Sequence, residues 1–327
     1  MIIDKRTSKP LSTESKQASK LYEDAIDLIL GSQSGAGEAL DKAITLDENF
    51  ALALAARYFV ANNEKSPDAE SFKFRAEQLT SELSDWESAH IKILVGLIEN
   101  TDAYLDRALA YIEMNPKDLF VISQVVGHYI FFGGAKKLDL AVDLLQSVEG
   151  EIGGDWAFLA RLGFALSEAG ERKRGRDMLE KSLEMNPASL YTIHGLAHAL
   201  HDAGEAEHSA RLLDDWLAKY GDAAKEGQMY GHVQWHLALA QRQVGKREEA
   251  VKRYQQYCAP ATTTCGPILA LADSGGFHLR DYLMTRETLP LSQDTREHID
   301  KVWPMLAHPF AALHIAGLYL SAGDVVG

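Results

Sequence analysis

The sequence predicts an all-α fold, a solenoid of antiparallel helix pairs, and three observations carry that expectation. Apolar residues recur at helical spacing along nearly the whole chain and nowhere alternate as a half-buried strand would. Gly134, Gly170, Gly204 and Gly245 fall 36, 34 and 41 residues apart. Each follows a helix that carries an apolar residue beside a small one: Val126-Gly127, Leu162-Gly163, Leu196-Ala197 and Leu237-Ala238. A small residue at that place lets a paired helix approach closely, and a glycine about two turns later lets the chain reverse. The spacing is close to the roughly 34-residue period of tetratricopeptide (TPR) repeats. A TPR-like α-α superhelix is the fold class expected.

The elements follow in order. Residues 1–17 are rich in Lys, Ser and Thr without periodicity and read as a loose leader, with one repeat domain over 18–327. Tyr22, Ala25, Ile26, Ile29 and Leu30 mark a first helix. Ala39 to Ile44 marks a second after the break Gly31 to Gly37, and Phe50 to Val60 a third. Ser66 or Asp68 suits the cap of a helix from Ala69, and Ser84 or Asp85 that of a helix from Trp86 to Ile98. Ala103 to Ile112 runs to the stop at Asn115-Pro116, where proline lacks a donor and clashes with the preceding turn. The repeats occupy the next stretch, with second helices at Arg176 to Met185 and Ala206 to Leu217. Ile268 to Asp273 and Phe277 to Met284 read as two helices broken at Gly275-Gly276. Thr295 to Trp303 and Phe310 to Leu320 close the chain before the short segment Asp324 to Gly327.

A hydrophobic share of 46% and a charged share of 24% are those of an ordinary globular protein. The formal net charge is -14. Nucleic acid and anionic membranes both attract positive surfaces, so neither is expected as a partner. No apolar run has the length to span a bilayer, and no secretory signal opens the chain. The two cysteines, Cys258 and Cys265, lie in a Pro-flanked segment that reads as a loop with two free thiols. A cytoplasmic location is expected.

The chemistry concentrates between Tyr191 and His236. His194 and His198 stand four residues apart on one expected helix, and His232 and His236 on another, so each pair shares a helix face. His201 extends the first row. On the first helix these rings lie about 100° or more from the apolar face of Ile193, Leu196, Ala197 and Leu200. They are therefore expected to line a concave groove, with His128 at the matching position of an earlier repeat. Three readings fit the cluster. Neutral imidazoles from two helices can hold zinc or another divalent ion. They can instead bind a small polar molecule and transfer protons, or simply fill space as hydrogen-bonded polar groups. The first pair lacks the glutamate of H-E-x-x-H, so zinc-protease chemistry has no base. Asp273 suits the role of orienting a histidine, or that of a helix cap before Gly275-Gly276. Trp235 suits a pocket wall. The basic run at Arg172, Lys173, Arg174 and Arg176 reads as a solvated helix face, and no phosphate-binding loop is present.

At Ile193-His194-Gly195-Leu196-Ala197-His198 and Gly231-His232-Val233-Gln234-Trp235-His236 the chain resembles the tetratricopeptide repeat protein 38 family. Weaker likeness runs through Trp86 to Gly96, Asn115 to Asp118, the helix at Asp273, and Phe310 to Gly317. The resemblance implies a helical solenoid in which His194, His198, His232, Trp235, His236, Asp273 and His314 occupy the family's motif positions. It implies no defined activity. Where the family pattern has Asn-Asp before the last histidine, this chain has Ala311-Ala312.

The combined expectation is a His-rich pocket for a small molecule, with hydrolase- or lyase-type chemistry. His194, His198, His232, His236 and Asp273 are its catalytic candidates. His128, His201, Trp235 and His314 are its ligand-binding candidates, and a divalent metal such as zinc is its candidate cofactor. The rival from another class is a peptide-binding adaptor, the usual use of such repeats.

Overall fold

The computed structural model describes residues 2–132, 134–305 and 309–323, so Asp324 to Gly327 lie outside the described residues. Among the described residues the chain is all-α and TPR-like apart from one short hairpin. It divides into two compact units, Met1–Thr192 and Ile193–Gly327, where the sequence reading drew one domain over 18–327.

In the first unit, α1 (Lys16–Leu30) packs on α2 (Ala36–Leu46), and α3 (Ala51–Asn63) on α4 (Ala69–Leu79). The run Asp85–Met114, α5, is interrupted at Asn100, whose backbone (φ -156°, ψ 86°) is not helical. This matches the two helices expected there. Then α6 (Leu119–Phe132) packs on α7 (Lys137–Ile152), and α8 (Trp156–Glu168) on α9 (Arg172–Met185). Side-chain caps fix two of the starts. Ser15 accepts from the Ala18 amide, and Asp155 from those of Ala157 and Phe158. One continuous core runs through the unit, from Leu11 and Tyr22 through Phe50, Leu94 and Leu119 to Phe158 and Leu166.

In the second unit, α10 (Leu190–Asp202) enters from the first. It is followed by α11 (Ala206–Ala224), α12 (Tyr230–Gln243), α13 (Arg247–Arg253), α14 (Pro267–Thr285), α15 (Gln293–Val302) and α16 (Pro309–Ala322). Helix α12 packs on α11, α13, α14 and the π-helical turn Tyr254–Cys258. That is why every residue from Gly231 to Ala240 is buried.

The turn glycines behave as their spacing implied. Gly134, Gly170, Gly204, Gly245 and Gly323 all have positive φ, a region costly for residues with a Cβ. The small residues in the helices divide. A Cβ on Gly163 would lie 2.8 Å from the Gly175 carbonyl oxygen, so α8 and α9 touch backbone to backbone. At Gly127 no atom lies within 4 Å of that position, so close approach is not its role.

Two expectations fail. Residues 2–11 are not a loose leader: Ile2–Ile3 (β1) pairs antiparallel with Pro10–Leu11 (β2), and Asp4, Leu11 and Thr13 are buried. Arg6 fastens the hairpin, donating from Nη2 to Asp27 at 2.9 Å and from Nε to Asp155 at 2.8 Å. Nor does Gly275-Gly276 break a helix, since α14 runs straight through it. A Cβ on Gly275 would meet the His314 carbonyl oxygen at 2.6 Å, and one on Gly276 would meet the Trp235 ring at 3.0 Å. These glycines open space for α16 and for the indole rather than end a helix.

Candidate functional site

Within the second unit, α10 supplies His194 and His198 and α12 supplies His232 and His236. One ring nitrogen from each lies within 4.8 Å of the other three. His194, His232 and His236 are buried and His198 is half-buried. The ring centroids lie between 4.5 Å (His198 to His236) and 6.3 Å (His198 to His232) apart. The interval between rings this close has the size of an ion rather than of a molecule.

His232 is held by a carboxylate and by an indole. Its Nδ1–H donates to Asp273 Oδ1 at 2.6 Å, and Asp273 is itself buried. A carboxylate on Nδ1 fixes the tautomer, so the lone pair sits on Nε2. That Nε2 lies 3.3 Å from Nε2 of His236. Trp235 stacks on His232, with centroids 5.3 Å apart and planes 12° apart, and its Nε1–H donates to the Asp273 carbonyl at 2.7 Å. Trp235 thus walls and orients an imidazole. The second carboxylate oxygen of Asp273, Oδ2, is buried and has no hydrogen-bond partner among the described residues.

The electrostatics keep two of the rings, His194 and His236, uncharged. Burial, followed by the neighbouring imidazoles, holds His194 and His236 well below the ordinary histidine pKa. Four imidazoles grouped round one point, with a buried carboxylate behind one of them, make an electron-rich pocket that suits a divalent cation. The geometry also fits. Zn–N bonds of about 2.0–2.1 Å give a tetrahedron with N···N edges of about 3.3–3.4 Å. The His232–His236 separation already matches that edge.

In overall structure the chain is similar to IFIT1. An IFIT1 monomeric mutant with Gppp-AAAA is 15% identical, covers 96% of this chain and 72% of that one, and has a TM-score of 0.46. The human IFIT1 dimer with m7Gppp-AAAA is 15% identical, with 96% and 71% covered and the same TM-score. No protein-family model and no curated protein matches the chain. The capped oligonucleotides belong to IFIT1, but they overturn one expectation. The expectation of no nucleic-acid partner does not stand. The physical reason is that a net charge of -14 is a sum over the chain, whereas binding responds to the local potential of one surface. Among the described residues no helix is long and apolar enough to cross a membrane.

The remaining candidates lie elsewhere. His201 is half-buried and accepts from Gln243 Nε2 at 3.4 Å, its pKa lowered first by burial and then by Arg280. His314, on α16, donates from Nδ1 to the Phe310 carbonyl at 2.7 Å. His128 belongs to the first unit, where Nε2 lies 3.3 Å from Asp102 and the ring stacks on Phe132. His128 and the two pairs fall in different units, and the four rings of the pairs form one group within the second. The rings were expected to line a concave groove, and α12, buried from Gly231 to Ala240, holds its pair inward. Cys258 and Cys265 are free thiols. Cys258 is buried in the π-helical turn, and burial pushes Cys265 up to about 12 and Cys258 well above its ordinary value.

Sequence reasoning missed a second buried histidine network, in the first unit. His90 Nδ1 and the Tyr111 hydroxyl each donate to Asp118 Oδ2 at 2.6 Å. No short-range motif announces it, because α5 supplies His90 and Tyr111 from opposite sides of the interruption at Asn100 and only the fold brings His90 to Asp118.

Proposed function

We propose that this protein is a TPR-like protein whose second unit holds one divalent transition-metal ion on His194, His198, His232 and His236, with Asp273 positioning His232. The observation that carries the reading is the convergence of four ring nitrogens within 4.8 Å, one of them locked by a buried carboxylate. The same histidine motifs carry the chain's resemblance to the tetratricopeptide repeat protein 38 family, and we read it as a member. Two free thiols fit a reducing compartment such as the cytoplasm.

A second reading, hydrolase- or lyase-type chemistry on a small polar molecule, is favoured by one observation. His198 alone of the four is only half-buried. If it turns away, a water takes the fourth position. Three ligands and a water form the arrangement in which zinc lowers the pKa of bound water to about 7.

The test is metal content. Protein prepared without a histidine tag or chelator, then loaded with Co(II), should hold one ion per chain and show the absorption of tetrahedral nitrogen coordination. His198→Gln with His236→Gln should abolish stoichiometric loading. Asp273→Asn should weaken affinity about 10–100-fold while the helical circular dichroism is kept. Loading well below one ion per chain, or a double variant that loads like the parent, refutes the reading.

A further inference from the structure

The first unit holds a cleft that the histidine centre does not use. Its volume is about 190 Å³. That is well above the ~10–15 Å³ needed by a single water and below the roughly 300–1,000 Å³ of sites for drug-sized ligands. The hairpin contributes Thr7 and Lys9, α5 contributes Trp86, Tyr111 and Met114, and the stop after α5 contributes Asn115, Pro116 and Lys117.

Two properties of the lining select a ligand. The first is its apolar wall of Trp86, Met114 and Pro116. Met114 is 77% exposed, a large apolar side chain presented to solvent at the edge of a concave surface. The second is charge. Asp118 lines the cleft, but its carboxylate is already used: Oδ2 accepts from His90 and Tyr111, and Oδ1 from the Val121 amide at 3.2 Å. Burial opposes ionisation of both partners, yet mutual attraction prevails, so His90 is raised and Asp118 lowered, and the pair is an internally neutral imidazolium carboxylate. Glu151 lies 3.8 Å from Lys117 Nζ and offsets that ammonium. Lys9 has no carboxylate in ion-pair range among the described residues. The cleft therefore presents one uncompensated positive charge beside an apolar wall.

We propose that this cleft binds a small carboxylic acid with an apolar body, its carboxylate on Lys9 and Lys117 and its body against Trp86 and Met114. The Tyr111 hydroxyl and His90 both stay committed to Asp118, and Tyr111 and Asp118 form the floor. The ammonium groups select charge and the indole selects an apolar, preferably flat, body.

The test uses the full chain and phenylacetate, with phenylacetamide as its neutral counterpart, by titration calorimetry. The expected result is saturable binding of one phenylacetate per chain, with phenylacetamide weaker by about tenfold, the size of one charge-assisted contact. Lys9→Met should weaken phenylacetate by a similar factor while leaving metal loading and the circular dichroism spectrum unchanged. Lys117→Met repeats the test should Lys9→Met fail to fold. Three results would each overturn the proposal: no saturation by about 10 mM phenylacetate, equal binding of acid and amide, or folded lysine variants that bind like the parent. Because the cleft and the imidazole group are in different units, failure of one test leaves the other standing.

Discussion

His278 and His90 are both buried, yet burial settles only one of them. His278, on α14, has its pKa taken down to about 4 by burial, and its ring meets Tyr254 edge-on. His90 suffers the same desolvation, but the Asp118 carboxylate at 2.6 Å outweighs it and raises the pKa. The consequences for stability have opposite signs. Between about pH 4 and the unfolded value of about 6.5, unfolded chains protonate His278 and folded ones do not. The unfolded state binds more protons, so stability falls as pH drops through that window, by roughly 3 kcal/mol at its acid end. For His90 the folded state binds the proton more tightly. Its contribution is complete below about pH 6.5 and is lost as pH rises through the folded value. Denaturant titrations at pH 5 and pH 7 check the first case. His278→Leu should narrow the gap between the two unfolding midpoints, and an unchanged gap would mean that the ring is not held neutral. The slope that remains carries the parts of His194, His201 and His236, whose pKa values are lowered in the same direction, and the opposing part of His90.

At the scale of helices, two glycines of similar appearance in the sequence have opposite worth. Gly127 lies inside α6 with open space around its missing Cβ. Gly127→Ala should therefore stabilise by about 0.5–1 kcal/mol through reduced backbone entropy in the unfolded chain. Gly275 lies inside α14 with the His314 carbonyl oxygen 2.6 Å from where a Cβ would stand. There the same entropic gain is outweighed by pushing α16 off α14, a loss of about 1–3 kcal/mol. Thermal melts of the two variants should shift in opposite directions, and a stabilised Gly275→Ala would contradict the contact. The pair also marks how far the sequence can be read. Turn glycines such as Gly170 and Gly204 are legible because a positive φ and a repeat period require the same residue at the same place. The histidine pairs are legible because i, i+4 spacing is a local property of any helix. Gly275-Gly276 misleads because a glycine that ends a helix and one that admits a neighbour look alike without that neighbour. The β1–β2 hairpin escapes notice because two-residue strands have no period, and the Asp118 pair escapes because His90 lies 28 residues before it.

For the whole molecule, the division inside α10 decides how ligands act. The first unit has its own continuous core from Leu11 to Leu166. The second has cores around Phe277 and Tyr254 and around Leu271 and Ile299. All four imidazoles and Asp273 belong to the second unit. An ion that binds only the folded form stabilises what it binds by RT ln(1 + [L]/Kd), about 2.7 kcal/mol at a hundredfold excess over Kd. If the units open separately, that stabilisation is confined to one of them. Hydrogen exchange read by mass spectrometry, with and without Zn(II), should then show protection rising up to about a hundredfold in α12 and α14. Amides of α1, α3 and α8 should exchange at unchanged rates, with the boundary inside α10 near Thr192 and Ile193. A uniform rise along the chain would show that both units open as one cooperative block, and the metal would then act as a fastener for the entire protein.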